Sequence, residues 1–313
     1  MSVVARPAGD CDDPGMTISG ARGSMAQEAQ IQISCAQFEP RIGEKERNVE
    51  ASLALIERLA GDGSQLIVMP ELCNTGYVLE SREEAYALSE EVATGETITA
   101  WTRAAAEKDV TLVAGFLERD GVKLYNSAIV IGPDGIIGTY RKAHLWNAEA
   151  LFFERGDLGF PVFHTRFGRL GVLICYDGWF PEAWRLLALQ GADIVCVPTN
   201  WVPMEKQPGH LPAMANILCM GAAHSNSMVV AACDRVGTER GQPFIGQSLI
   251  VDHNGWPVAG PASKDEPELV TARVDLSQAR RQRNWNAFNQ VVRDRRTDLY
   301  GEMLGTQARP DWH

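Results

Sequence analysis

Short apolar runs alternate along the chain with segments whose apolar residues recur every third or fourth position. Ile31, Ile33 and Cys35 alternate with polar neighbours, the period of a half-buried strand. Residues 44–61 place Val49, Leu53, Leu55, Ile56 and Leu59 roughly on one helical face. The run 65–70 reads as a second strand, and residues 85–92 and 98–108 predict helices parted by the Thr94-Gly95 break. Residues 110–117 and 124–131 predict neighbouring strands with Asp120-Gly121 as their hairpin turn. A second turn, Pro133-Asp134-Gly135, leads into a strand over 136–140. The glycine-bounded run of Leu170, Val172, Leu173 and Ile174 predicts a buried strand that stops at Cys175. Asp177 and Gly178 break it, and Pro181 opens a helix to about residue 190, at a position where proline is favoured. A strand is expected over 193–197, a helix over 211–224 and a strand over 228–233. Strands over 248–252 and 269–274 are expected to be joined through Asn254-Gly255, and residues 277–300 are polar with scattered aromatics.

Helices alternating with strands, plus hairpin turns that add antiparallel neighbours, predict an α/β fold with a mixed sheet. No proline- or serine-rich linker divides 31–300, so residues 30–301 read as one domain and 302–313 as a tail. Residues 1–29 are rich in Gly, Asp, Ser and Ala and lack the apolar core of a signal peptide. They read as a disordered leader, and Met16 and Met25 offer alternative starts within it, so residues 1–24 need not all be translated.

Composition narrows the function classes. The chain has 313 residues, 45% hydrophobic and 22% charged, ordinary for a globular protein. A net charge of -11 and the lack of a basic stripe argue against a nucleic-acid partner. The arginines of 280–296 are interleaved with Asp294 and followed by Asp298, and suit a solvated or interface segment. No apolar run approaches the roughly 18 residues of a membrane helix, which argues against a membrane partner. The seven cysteines, at positions 11, 35, 73, 175, 196, 219 and 233, have no paired spacing and mostly lie in apolar runs. That pattern suits reduced thiols in a cytoplasm. The chain has no CxxC and no histidine cluster with zinc spacing, so no metal site is expected.

Three apolar runs end in a reactive group. Glu71 closes Gln65-Leu-Ile-Val-Met-Pro-Glu71, Lys142 lies just past the strand over 136–140, and Cys175 closes Leu173-Ile174-Cys175. Each has a bland reading. Most free cysteines are small buried hydrophobes, a lone Glu after a strand is usually a surface carboxylate, and a Lys beside Arg141 is usually solvated. Strand ends are also where α/β sheets build their sites, and a thiol on a strand-to-helix turn can face a cleft from a rigid element.

Taken together, Met69-Pro70-Glu71, Tyr140-Arg141-Lys142 and Ile174-Cys175-Tyr176-Asp177 resemble the catalytic motifs of the nitrilase superfamily, the carbon–nitrogen hydrolases, in order and spacing. The resemblance spans about residues 31–300. It implies a four-layer α-β-β-α sandwich with two mixed sheets packed face to face; periodicity alone does not reveal two sheets. It also implies a thiol hydrolase without a cofactor. Cys175 would be the nucleophile and Glu71 the base. Lys142 would favour the thiolate and stabilise the oxyanion, beside the N–H of Tyr176 as second donor. A second glutamate that orients the lysine matches Glu149, with Glu154 as competitor. His144 could be proposed as a base, but the resemblance gives that role to glutamate and leaves His144 a structural one. Tyr77, Trp146, Tyr176, Asn200 and Trp201 follow motifs or strand ends and are candidate substrate-binding residues, although aromatics at such places are often core.

Within the superfamily, nitrilases typically carry Trp-Glu after the nucleophile, whereas this chain has Tyr176-Asp177, which favours small amides as substrates. A nitrile substrate is the alternative. Hydrolysis of an N-carbamoyl compound is another, weakened by Gly178 and Trp179 where carbamoylases hold arginines; Arg185 lies further on. A catalytically idle scaffold or a redox sensor are readings from other classes; the intact trio opposes the first and the lack of a resolving cysteine the second. The resemblance and the aromatics Trp285, Phe288 and Tyr300 imply a homodimer or larger even homo-oligomer.

Overall fold

The computed structural model describes residues 30–304; the expected leader and the end of the expected tail lie outside the described residues. In chain order the first half contains β1 (Gln30–Gln37), α1 (Lys45–Gly61), β2 (Leu66–Val68), α2 (Arg82–Leu88), α3 (Glu96–Lys108), β3 (Thr111–Asp120), β4 (Lys123–Gly132) and β5 (Gly135–Arg141). The second half contains β6 (Val162–Thr165), β7 (Gly168–Val172), α4 (Pro181–Leu189), β8 (Ile194–Pro198), α5 (Met214–Asn226), β9 (Val229–Cys233), the small hairpin β10 (Thr238–Glu239) and β11 (Gln242–Pro243), β12 (Leu249–Val251), β13 (Pro257–Ala259), β14 (Glu268–Asp275), α6 (Leu276–Arg281) and α7 (Thr297–Leu304).

Two six-stranded sheets result, ordered β14-β1-β2-β3-β4-β5 and β13-β12-β9-β8-β7-β6. Each has parallel pairs at its centre and antiparallel pairs outside, so both are mixed. Alternation along the strands explains the layering. Leu66 and Val68 of β2 join a core shared with Val172 and Ile194 of the second sheet, while Ile67 between them packs with Ile56 of α1 and Trp101 of α3. In β4, Ala128 and Val130 face the other sheet, and Ile129 and Ile131 face the helices. Trp184 and Leu187 of α4 and Cys219 and Ala223 of α5 are buried against the second sheet. The architecture is the expected α-β-β-α sandwich.

Several boundaries differ from expectation for local reasons. The helix expected over 85–92 runs Arg82–Leu88, capped by Ser81, whose side chain accepts from the Glu84 N–H. It stops because Ser89 is extended and Glu90 bridges to Glu118 beside β3. The helix expected from Leu211 begins at Met214, since Pro212 disfavours helical backbone at the residue before it. The turn at Asn254-Gly255 joins β12 to β13 within the second sheet, and not to the strand of 269–274. That strand, β14, crosses to the first sheet and pairs with β1.

Candidate active site

The strands β2 and β5 of the first sheet run in one direction, so Glu71 and Lys142 emerge at the same end of it. In the second sheet β7 and β8 are parallel neighbours, and they deliver Cys175 and Asn200 at a common end. The two ends are tied together: Asn200 Nδ2 donates to the backbone carbonyl of Glu71 at 2.9 Å. Gly115 of β3 allows the Glu71 loop to close down, because a Cβ there would lie 2.5 Å from Glu71 Cα.

Lys142 Nζ donates to Glu71 Oε1 at 2.6 Å and to Glu149 Oε1 at 2.7 Å. All three side chains are buried. Glu149 lies on a short 3-10 turn, Asn147–Leu151, and its Oε2 accepts from the Trp146 N–H. Glu154, the competing candidate, is half exposed beside Arg82. Arg141 fixes the base of the lysine by pairing with Glu118 at 2.6 Å and Asp157 at 2.9 Å while stacking over Tyr125.

Cys175 opens a second 3-10 turn, Cys175–Trp179, that intervenes between the buried strand and the helix at Pro181. Its φ of 44° is a left-handed conformation that costs a residue with a Cβ. Asp177 holds this turn. Its Oδ2 accepts from the Ile174 N–H at 3.0 Å and the Tyr140 hydroxyl at 2.7 Å. Its Oδ1 takes the His144 N–H at 3.0 Å and lies 2.7 Å from His144 Nδ1. Asp177 therefore fastens the Cys175 turn to the segment after Lys142. His144 stacks on Phe180, with ring centroids 3.7 Å apart.

Burial pushes the Glu71 carboxyl up from 4.5 to about 7, against the pull of Lys142 and with Glu149 adding to the rise. Its Oε2 is buried with no hydrogen-bond partner among the described residues. Burial opposes the charge on Lys142, but Glu149 and Glu71 outweigh it and hold the ammonium above its ordinary value. Burial, then Glu71, push the Cys175 thiol well up; Lys142 pulls the other way without prevailing. Lys142 thus favours the thiolate, as expected, but burial and Glu71 outweigh it. A thiol so raised ionises only with a base nearby, and Glu71 offers a carboxyl pushed up to about 7.

Trp146, Tyr176, Asn200 and Trp201 line the cleft onto which Cys175 opens. Tyr77 reaches the site differently: its hydroxyl donates to Glu149 Oε1 at 2.7 Å. Four residues escaped the list of candidates. Asn126 of β4 donates to Glu71 Oε1 at 2.6 Å; a polar residue inside an apolar strand is the one signal it gave. Trp179, Val202 and Met204 also line the cleft; Trp179 stands where carbamoylases hold an arginine, and nothing in the local sequence marks the other two.

Known proteins share the sequence family and the fold. Residues 32–284 match the family described as carbon-nitrogen hydrolase. A protein of Pyrococcus abyssi named nitrilase is 42% identical over 270 residues, which cover 86% of this chain and 99% of that one. The N-carbamoylputrescine amidase of Arabidopsis thaliana is 34% identical over 274 residues, covering 82% and 90% of the two chains. A crystal structure of a carbon-nitrogen hydrolase from Helicobacter pylori G27 superposes with a TM-score of 0.80 at 29% identity, covering 89% of this chain and 99% of that one. The chain thus belongs to the carbon–nitrogen hydrolases of the nitrilase superfamily.

Proposed function

We propose that the chain hydrolyses small amides to a carboxylic acid and ammonia through a thioester on Cys175. Glu71 takes the thiol proton as sulfur attacks the carbonyl carbon. The oxyanion is received by Lys142 and the Tyr176 N–H. Glu71 then gives its proton to the departing ammonia, and water activated by Glu71 releases the acid. Glu149 keeps the lysine charged and aimed. The observation that carries this reading is the carboxyl of Glu71, raised to about 7, bonded to Lys142 and with one oxygen unpartnered. A base poised near neutral pH is what a proton shuttle requires.

The second reading is nitrile hydrolysis by the same residues, favoured by the name of the Pyrococcus abyssi relative. The third is cleavage of an N-carbamoyl group, by the name of the plant one. Paired kcat/KM values for propionamide, propionitrile and an N-carbamoyl amine separate the three. A nitrile faster than its amide by about tenfold or more, about 1.4 kcal/mol in the transition state, would overturn the first reading.

The chain should act as a homodimer or larger even assembly in the cytoplasm. The outer face of α4 and α5 carries a groove of about 850 Å³ lined by Leu186, Leu189, Ile217 and Tyr300. Leu186, Leu189 and Ile217 are exposed, as isologous interfaces require before assembly. Light scattering at micromolar concentration that returned the 34.3 kDa monomer would refute the dimer. The six cysteines among the described residues are all free, in keeping with a reducing compartment.

A further inference from the structure

Asn126 is buried on β4, in a stretch otherwise rich in apolar residues. A buried amide that serves only the fold usually has partners at both ends. Asn126 has them at one. Its Nδ2 donates to Glu71 Oε1 at 2.6 Å and lies 3.5 Å from Glu149 Oε1, while its Oδ1 has no hydrogen-bond partner among the described residues. An unpaired buried carbonyl costs stability, so the gain must lie with the N–H₂. The backbone of Asn126 does separate work. Its carbonyl accepts from the Lys142 N–H at 2.8 Å, beside the Ser127–Arg141 pair of β4 and β5. One residue thus places the lysine by its main chain and the glutamate by its side chain. The first contact does not depend on the side chain at 126; the second does.

Lone pairs decide where a proton can sit. A carboxylate oxygen offers about two. Those of Glu71 Oε1 are taken by Lys142 Nζ and Asn126 Nδ2, each at 2.6 Å. Glu71 Oε2 has no partner among the described residues. Glu149 has no such bare oxygen: Oε1 accepts from Lys142 and from the Tyr77 hydroxyl, and Oε2 from the Trp146 N–H. Lys142 and Asn126 both lower the proton affinity of Glu71, against burial and Glu149. Tyr77, Cys175 and Asp234 are the other titratable groups that feel its charge.

We propose that Asn126 is a positioning residue: it fills the second lone pair of Glu71 Oε1 and so confines the working proton to Oε2. The proton passes from Cys175 Sγ to Oε2. The S–H bond breaks, an O–H bond forms, and the electron pair left on sulfur makes the bond to the carbonyl carbon. Oε2 then returns the proton to the leaving nitrogen. Without Asn126 a lone pair opens on Oε1 beside Lys142, and a proton held there does not serve the thiol. The inference rests on the amide-hydrolase reading for the later steps, but the first step can be tested without an amide.

The test uses the full-length protein with Asn126→Ala or Asn126→Asp, each with and without Glu71→Gln, and circular dichroism to confirm the fold. The readout is the rate of Cys175 alkylation by iodoacetamide against pH, with the adduct mapped by mass spectrometry. In the unsubstituted protein the rate should rise through about 7 as Glu71 ionises. Asn126→Ala should move that midpoint up by about one pH unit, the loss of one hydrogen bond to a charged group. Alkylation near pH 6 should then be about tenfold slower. Asn126→Asp keeps the shape of the side chain but turns a donor into an acceptor, and should slow the reaction at least as much. In the Glu71→Gln background neither substitution should change the rate by more than about twofold, because the residue acts through Glu71. A purely structural Asn126 would slow alkylation equally at every pH. That result, an unmoved midpoint, an equal loss in the Glu71→Gln background, or failure of both variants to fold would each overturn the assignment. If Asn126→Ala alone does not fold, Asn126→Asp carries the test. If the midpoint moves while no amide is turned over, Asn126 keeps its role toward Glu71 and the amidase reading falls.

Discussion

Two buried charge clusters lie on either side of Tyr77, and they are built to opposite ends. On one side Arg235 and Glu239 pair at 2.7 Å, both almost fully buried. Arg235 also donates to the carbonyls of Pro40 and Val236 and stacks on Phe244. The second oxygen of Glu239 accepts the N–H groups of Tyr77 and Val78 at 2.7 and 2.6 Å. Every polar arm of that pair is used. On the other side the Tyr77 hydroxyl meets Glu149, and there one ammonium serves two carboxylates while Glu71 Oε2 and Asn126 Oδ1 stay unpartnered among the described residues. A buried charge with a full set of partners is an anchor. A cluster with one carboxylate too many holds a proton loosely, and its pKa moves into the working range. Burial alone does not distinguish an anchor from a site; unfinished bonding does.

The contrast can be broken from either side. The largest effect is expected at the thiol. Cys175→Ala should abolish hydrolysis with native-like circular dichroism; retained turnover, or an iodoacetamide adduct mapped by mass spectrometry to another cysteine, would place the nucleophile elsewhere. Next comes the proton store. Glu71→Gln should lower kcat by about 10²–10⁴, the weight of a general base. In the unsubstituted enzyme kcat/KM should rise with pH and level off above about 7. The sign for stability is opposite. A carboxyl raised from 4.5 to about 7 by burial favours the folded state while protonated and loses that contribution as pH climbs through the interval. Urea unfolding of the two proteins should therefore show the native glutamate losing ground to glutamine between pH 4.5 and 7. A constant difference would mean that Glu71 is already ionised throughout.

Lys142→Ala should cost roughly 10²–10³ in rate, the loss of one oxyanion donor, and should shift the pH midpoint upward because Glu71 would face Glu149 without a cation. Lys142→Arg should recover little, since a planar guanidinium does not fit between two carboxylates placed for an ammonium. Wild-type rates in either variant would put the lysine outside the reaction. The smallest catalytic effect belongs to the anchor. Arg235→Met should destabilise the fold by about 3–5 kcal/mol through an uncompensated Glu239, while altering kcat far less than Lys142→Ala. Adding Glu239→Gln should return part of that stability in chemical denaturation. A kcat loss as large as that of Lys142→Ala, in protein shown to be folded, would erase the distinction between anchor and site.

The trio was legible because each member ends an apolar run, and a strand that buries both faces leaves only its last residue free to do chemistry. Glu149 was not legible that way. Only the resemblance separated it from Glu154, and the separation in the structure is spatial: a 3-10 turn folds one back onto Lys142 and leaves the other beside Arg82. Asp177 was read as half of a marker for substrate preference. It is buried and spends both oxygens on backbone, Tyr140 and His144, so any preference encoded there must come from Tyr176. Strands were readable from period, but their partners were not, because a short apolar run such as 249–251 fits many neighbours. The destination of β14 depends on a pairing 245 residues away in sequence, Gln30 with Asp275, which no local pattern records.

That distant pairing also sets an order of assembly. Strand β1 is among the first described segments to leave the ribosome, and its outer edge gains a partner only when β14 follows. At about 5–20 residues per second the wait is on the order of 10–50 s, during which backbone donors and acceptors of a strand rich in apolar residues stand open to other chains. A chain cut before Glu268 would carry Glu71, Lys142 and Cys175 and still present that edge permanently. Such a truncation should sediment as aggregate, unlike the full-length chain. Completion of the fold during synthesis is thus timed by β14, the last strand among the described residues, not by Glu71, Lys142 or Cys175.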